Sequence, residues 1–247
     1  MSQMEEYKKD LLSLVEWEPY LMLHSGLPGP RANLTLLYTV VKMGNKEHFQ
    51  RFLNFQQGNM SGDSPNDFIV MCGVVGLGKL LAQGQAEVLV HLKQYAADSR
   101  WRIRESVAMA LQIYGEHHMD QLLSEMMLWS SDGLLVQRAV AAALCEPKLL
   151  KDKGHAEQLF VILNRLTSSL LVEENRNQEG SLVLKKALGY CWSVAIAAYP
   201  TEGKVEFEQW INYDNKDIRW MLKENLSKNR LHKLDMEWVE WCKDKMA

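Results

Sequence analysis

The sequence predicts an all-α fold: a right-handed α-solenoid, or superhelix, of stacked helix pairs. Three observations point there. Apolar residues recur at helical spacing along almost the whole chain. Proline is scarce, with 6 residues in 247, and most of the 15 glycines fall between apolar segments, as short interhelical turns require. A helix pattern also returns every 33 or 34 residues, and a period of that size is the signature of a repeat architecture.

The clearest copy runs from Ser99 through Trp101 and Arg104 to Leu111, with Asp98 standing where a helix N-cap belongs. Asp132 to Leu144 repeats it 34 residues on, and Glu179 to Tyr190 and Asp217 to Leu226 are further copies. Upstream, Asn66 to Val75 is a degenerate copy, and Asn33 to Lys42 is another candidate. Second amphipathic segments lie between them, over Lys46–Gln57, Gln85–Ala96, His117–Leu128, Glu157–Leu171 and Val205–Ile211. Gly44, Gly84, Gly115 and Pro200 punctuate the joints. One step, from Arg138 to Lys185, is 47 residues, and its surplus falls around Ser168–Gly180. A single pair cannot bury its own apolar face, so stacking is required. The pairs Asp98/Arg104 and Asp132/Arg138, echoed by Glu179/Lys185, give an Asp-x5-Arg spacing that marks the repeats as HEAT-like and predicts a ladder between neighbours. The expected organisation is a single domain over 1–247, with acidic N-terminal capping helices over 1–30, repeats over 33–233 and a C-terminal cap over 234–247.

Composition bounds the function classes. Hydrophobic residues make up 47%, which excludes disorder of the whole chain. Net charge is −3, so a nucleic-acid partner needs a local basic face. Cys72, Cys145, Cys191 and Cys242 form no CxxC pair, which argues against a zinc knuckle or redox dithiol and fits reduced thiols in a cytoplasm. The first twenty residues are acidic and amphipathic rather than a signal peptide. No uninterrupted apolar run reaches bilayer length, so no membrane partner is expected. Glycosylation triplets at Asn33, Asn59 and Asn225 carry no weight without a secretory signal.

Candidate chemistry is sparse. Gly73 to Lys79 nearly spells a phosphate-binding loop, but Leu80 stands where a magnesium-holding Ser or Thr belongs, and the register puts the segment inside a helix. His117 and His118 are adjacent and face apart, so no metal site and no cofactor are predicted. Trp101 and Glu105 stand four apart, on one helix face, beside Arg100, Arg102 and Arg104. That cluster reads either as inter-repeat packing or as a site. Tyr190 and Trp192 divide between core and site in the same way, and Arg138 between ladder and site. The stretch Lys216–Lys233 is locally basic around Trp220, and is either a phosphate-binding surface or a solvated face.

Three short stretches carry a family resemblance. Ser131-Asp132 through Gln137-Arg138-Ala139, Leu184-Lys185-Lys186-Ala187-Leu188-Gly189-Tyr190, and Trp101 through Glu105-Ser106 are similar to segments of the bacterial HEAT-like-repeat DNA alkylation-repair glycosylases of the AlkD type. The repeat arrangement covers most of the chain, and the motifs only its middle and C-terminal half. The resemblance implies a DNA-binding protein that excises cationic alkylpurines from duplex DNA at a concave face. Trp101, Glu105 and Tyr190 would be its catalytic groups, with Arg102, Arg138, Lys186, Arg219 and Lys223 on the DNA backbone. The chemistry suits such residues. Glycosidic cleavage develops oxocarbenium character that a fixed carboxylate stabilises, aromatic faces attract a cationic base, and Arg and Lys hold phosphates. The chain departs from the family by Glu for Asp at 105, by Tyr for Trp at 190 and by lacking the Trp-Asp-x-Val-Asp signature. The alternative is a non-catalytic HEAT-repeat scaffold that holds a protein or peptide.

Overall fold

The computed structural model describes residues 2–55, 63–175 and 178–246. Among these the chain is helical without strands, an α-solenoid of HEAT-like helix pairs. It divides into two compact units, Met1–Tyr114 and Gly115–Ala247.

The first unit holds α1 (Gln3–Leu12), α2 (Glu18–His24), α3 (Leu34–Met43), α4 (Lys46–Leu53), α5 (Pro65–Ala82), α6 (Val88–Tyr95) and α7 (Trp101–Gly115, whose last residue opens the second unit). Local signals set their starts. Asn33 caps α3 by accepting the Leu36 N–H, and Asn45 and Ser64 form capping boxes at α4 and α5 with His48 and Asp67. Gly84 turns the chain after α5 at φ 92°, a conformation that favours glycine. The organising element is α5, against which α2, α3, α4 and α6 all pack.

The glycines of the near-phosphate-loop sequence sit in the middle of α5 and serve close approach. A Cβ on Gly76 would stand 2.2 Å from the Phe49 ring of α4, and one on Gly78 would stand 2.2 Å from the Ala110 carbonyl oxygen of α7. Lys79 completes the non-nucleotide account. Its Nζ donates to the carbonyls of Val41 (3.1 Å), Lys42 (2.8 Å) and Gly44 (2.7 Å), capping the C-terminus of α3 where cations are favoured. Burial pushes the Lys79 ammonium below its ordinary pKa.

The second unit holds α8 (Met119–Trp129), α9 (Leu134–Leu144), α10 (Ala156–Ser168), α11 (Glu179–Ala198), α12 (Pro200–Glu208), α13 (Lys216–Leu226), α14 (Asn229–Leu234) and α15 (Met236–Lys245). Here α11 is central, packed by α9, α10, α12, α13 and α14. Its Trp192 is fully buried, stacks 5.9 Å from Phe160, meets Phe207 edge-on at 5.7 Å, and donates its indole N–H to Thr167 at 3.0 Å. Gly189 lets Trp220 of α13 lie on α11, since a Cβ there would come within 2.9 Å of the Trp220 ring. Asn225, fully buried on α13, clamps the pair. Its oxygen accepts the Ser193 N–H at 2.8 Å, and its nitrogen donates to Leu188 O at 2.9 Å and Met221 O at 2.8 Å.

Each expected helix is present, and the boundaries shift by a few residues. The surplus in the long step is filled by two 3-10 turns, Ser169–Leu171 and Glu173–Asn175, with residues 176–177 outside the described set. The Asn59 triplet and the last part of the Lys46–Gln57 segment also lie outside it. Ion pairs do run between successive repeats. Arg100 reaches back 33 residues to Asp67 (3.3 Å) while holding Asp98 (2.7 Å). Arg104 donates to the carbonyls of Asp98 and Ser99. Lys185 reaches forward to Asp217 at 2.9 Å. No uninterrupted apolar run reaches bilayer length, since Asp67 and Lys79 interrupt α5 and Glu179, Lys185 and Lys186 interrupt α11. By length and overall composition α5 and α11 would both pass for spans, but 78% of the α5 window and 50% of the α11 window is buried against the rest of the chain.

Asn225→Leu should lower the unfolding free energy by about 3 kcal/mol, because it strands buried backbone groups of α11. Urea denaturation measures this, and a loss below about 1 kcal/mol would show that the clamp contributes little.

Candidate nucleic-acid interface

The first unit carries Trp101, Arg102 and Glu105 on α7. The start of that helix is fixed electrostatically. The Asp98 carboxylate accepts the Arg100 backbone N–H at 2.8 Å and its Nε at 2.9 Å. Burial alone would raise the Asp98 pKa, but the hydrogen bonds and charge of Arg100, helped by Arg104, outweigh it and hold the carboxyl below its usual range. Trp101 then emerges 48% exposed, with the Arg102 guanidinium 4.3 Å from its ring centroid. Arg102 itself is buried. It donates to Asp63 at 2.7 Å and to the Gly29 carbonyl at 2.8 Å. Placed there, it braces Trp101, and its charge is spent inside the unit. Glu105, one turn on from Trp101, is half-buried and has an interaction partner within the protein.

The second unit carries the other expected residues. Arg138 on α9 is half-buried and likewise engaged. Arg219 on α13 donates to the Met246 carbonyl at 3.2 Å, with Asp214 at 3.7 Å. Lys186 and Lys223 are exposed, and neither has a carboxylate partner among the described residues. Tyr190 stands one turn after Lys186 on α11 and is 45% exposed. On α13, Trp220 is 37% exposed, with Lys185 Nζ 5.2 Å from its ring.

Arg230 is one of the cations of the basic stretch Lys216–Lys233. Its Nη2 donates to the Tyr190 phenol at 2.6 Å, and its guanidinium carbon lies 4.6 Å from the Tyr190 ring centroid. The signal available in sequence was only its place in Lys216–Lys233. Together α11, α13 and α14 present two half-exposed aromatics among Lys186, Lys223 and Arg230.

No group of three or more His, Cys, Asp or Glu side chains is gathered to hold a metal among the described residues. His118 precedes α8 at its N-cap position, and His117 borders an open hollow with Lys148 and Lys151. The four thiols are buried and free. Burial raises the pKa of Cys145, reinforced by the hydrogen-bonded Cys191 beside it, and pushes that of Cys242 up to about 12, so neither is an activated nucleophile.

Comparison with solved structures finds AlkD2 from Streptococcus mutans, with a TM-score of 0.63 over 91% of this chain and 98% of that one. The chain has the AlkD-type HEAT-like fold. Sequence identity is 17%, so the likeness is one of fold. No family model matches the sequence, and no curated protein does. Within that fold, both aromatics that the motif resemblance singles out, Trp101 and Tyr190, already carry an arginine of this chain on the ring.

Asp98→Asn should cost about 1 kcal/mol at neutral pH through its weakened bonds to Arg100. A carboxylate depressed in the folded state stabilises above the unfolded pKa, and that contribution disappears as pH falls through the folded pKa. The difference between wild type and variant in urea should therefore be present at pH 7 and shrink in acid. A pH-independent difference would show that the charge is not the cause.

Proposed function

We propose that this chain is a duplex-DNA-binding protein of the alkylation-repair type. The observation that carries the reading is the surface of α11, α13 and α14. There Tyr190 and Trp220 lie half-exposed among Lys186, Lys223 and Arg230, three cations with no carboxylate partner among the described residues. Cations left uncompensated at a surface repel one another, and a phosphate backbone relieves that repulsion while releasing its counterions. In a chain of net charge −3, such a surface concentrates positive charge locally. Arg138 and Arg219 are secondary backbone contacts in this reading, and Arg102 acts by supporting Trp101.

Base excision is the finer part of the proposal. Trp101 and Glu105 are its candidate residues, by the resemblance of their segment to the alkylation-repair glycosylases. A carboxylate one helical turn from a half-exposed indole is suited to stabilise positive charge that develops on a sugar. The second reading, a scaffold for a protein or peptide, is favoured by the internal pairing of Arg102 with Asp63.

Base release from a methylated, end-labelled duplex tests the proposal, with protein in excess and retention of the duplex read in parallel. Wild type should release base and Glu105→Gln should lower the rate by about two orders of magnitude. Retention without release would remove excision of these lesions and keep DNA binding. Neither retention nor release would contradict the DNA reading and favour the scaffold.

A further inference from the structure

We infer that Arg230 is a phosphate-binding residue held in place by Tyr190, and that Tyr190 is a positioning residue rather than an open platform for a base. The inference rests on the duplex-DNA reading above and says which atoms of that surface engage the backbone.

The geometry assigns the roles. The Tyr190 phenol oxygen accepts from Arg230 Nη2 at 2.6 Å, and the guanidinium stands over the ring, 4.6 Å from its centroid. The ring face under the guanidinium is therefore closed to a nucleobase. A guanidinium has five N–H donors in a rigid plane, and the phenol takes one. The others are directed as a fork that matches two oxygens of a phosphate. No carboxylate pairs with Arg230 among the described residues, whereas Arg102 is held by Asp63 and Lys185 by Asp217. The nearby carboxylate of α13, Glu224, is paired with Lys228 at 3.2 Å. The backbone is anchored too. Arg230 lies on α14 next to Leu231, which is fully buried. The result is a cation whose charge is unspent and whose orientation is set before a ligand arrives, which lowers the ordering cost of binding.

The surroundings fit a backbone contact rather than a base pocket. Lys186 stands one turn from Tyr190 along α11, and Lys223 is almost one turn from Trp220 along α13. Cations so spread on adjacent helices suit successive phosphates. A closed pocket for an extruded base would need an enclosed hollow at Tyr190, and Tyr190 is instead 45% exposed.

The test is the salt dependence of binding to a fluorescein-labelled undamaged duplex, for wild type, Arg230→Gln, Arg230→Lys, Tyr190→Phe and the double variant Tyr190→Phe/Arg230→Gln. Each phosphate neutralised contributes about 0.9 to the slope of log affinity on log salt. Arg230→Gln should weaken binding about five- to tenfold at low salt and reduce the slope by about one. Arg230→Lys should keep the slope and lose part of the affinity, since the charge stays and the fork is lost. Tyr190→Phe keeps the ring and removes only the oxygen that holds Arg230. It should weaken binding in the wild-type background and change nothing in the Arg230→Gln background. Three results overturn the inference while leaving the DNA reading intact: binding by wild type with an unchanged slope in Arg230→Gln, a Tyr190→Phe variant that binds as wild type does, or an equal Tyr190→Phe loss in both backgrounds. Failure of wild type to bind the duplex overturns both.

Discussion

Close approach to one long helix is the constraint on which each unit depends. A helix pair has no interior of its own, so its apolar faces must be covered by neighbours on several sides. In the first unit α5 meets that demand with glycines where Phe49 and the Ala110 backbone press against it. In the second, α11 does so with Gly189 under Trp220 and with the Asn225 clamp. Both helices are consequently apolar enough to resemble membrane spans, and their length is a product of how many partners each must receive.

The same packing decides what becomes of the positive charges. Helices that approach closely bring polar side chains from successive repeats within reach, and Arg100, Arg102 and Lys185 are taken up in this way by Asp67, Asp63 and Asp217. What remains on α11, α13 and α14 without a carboxylate partner among the described residues is a smaller set, Lys186, Lys216, Lys223, Arg230 and Lys233. A count of basic residues in Lys216–Lys233 would overstate that set, because Lys228 and Arg219 are partly committed to Glu224, Asp214 and Met246.

Much of the fold was legible in the sequence because helical periodicity and punctuation are local signals. Gly44, Gly84 and Pro200 do lie at joints, whereas Asp98 stands two residues before the α7 cap position and accepts the Arg100 N–H rather than capping the helix. Partners far along the chain were not legible. Asn225 reads locally as part of a glycosylation triplet, yet it is a buried clamp whose partners, Leu188 and Ser193, lie more than thirty residues away. Asn33 reads the same way and is a helix cap that also reaches Tyr7 at 2.8 Å. The period of the repeats predicts that an arginine near Trp101 should find an acid one repeat back. It does not say which of Arg100, Arg102 and Arg104 turns that way, because that depends on helix rotation. Of the expected site residues, Trp101, Lys186, Tyr190 and Lys223 stand at the surface, Arg102 does not, and Arg230 needed coordinates to be separated from its basic neighbours.

The central claim is that α11, α13 and α14 face a phosphate backbone. Lysine acetylation footprinting of the wild-type chain, read by mass spectrometry with and without saturating duplex DNA, tests it most directly, because it reports each ammonium separately. The account predicts that duplex protects Lys186 and Lys223 and leaves Lys46 and Lys243, which are ion-paired on other helices, as reactive as before. Bound duplex with Lys186 and Lys223 unprotected would contradict it.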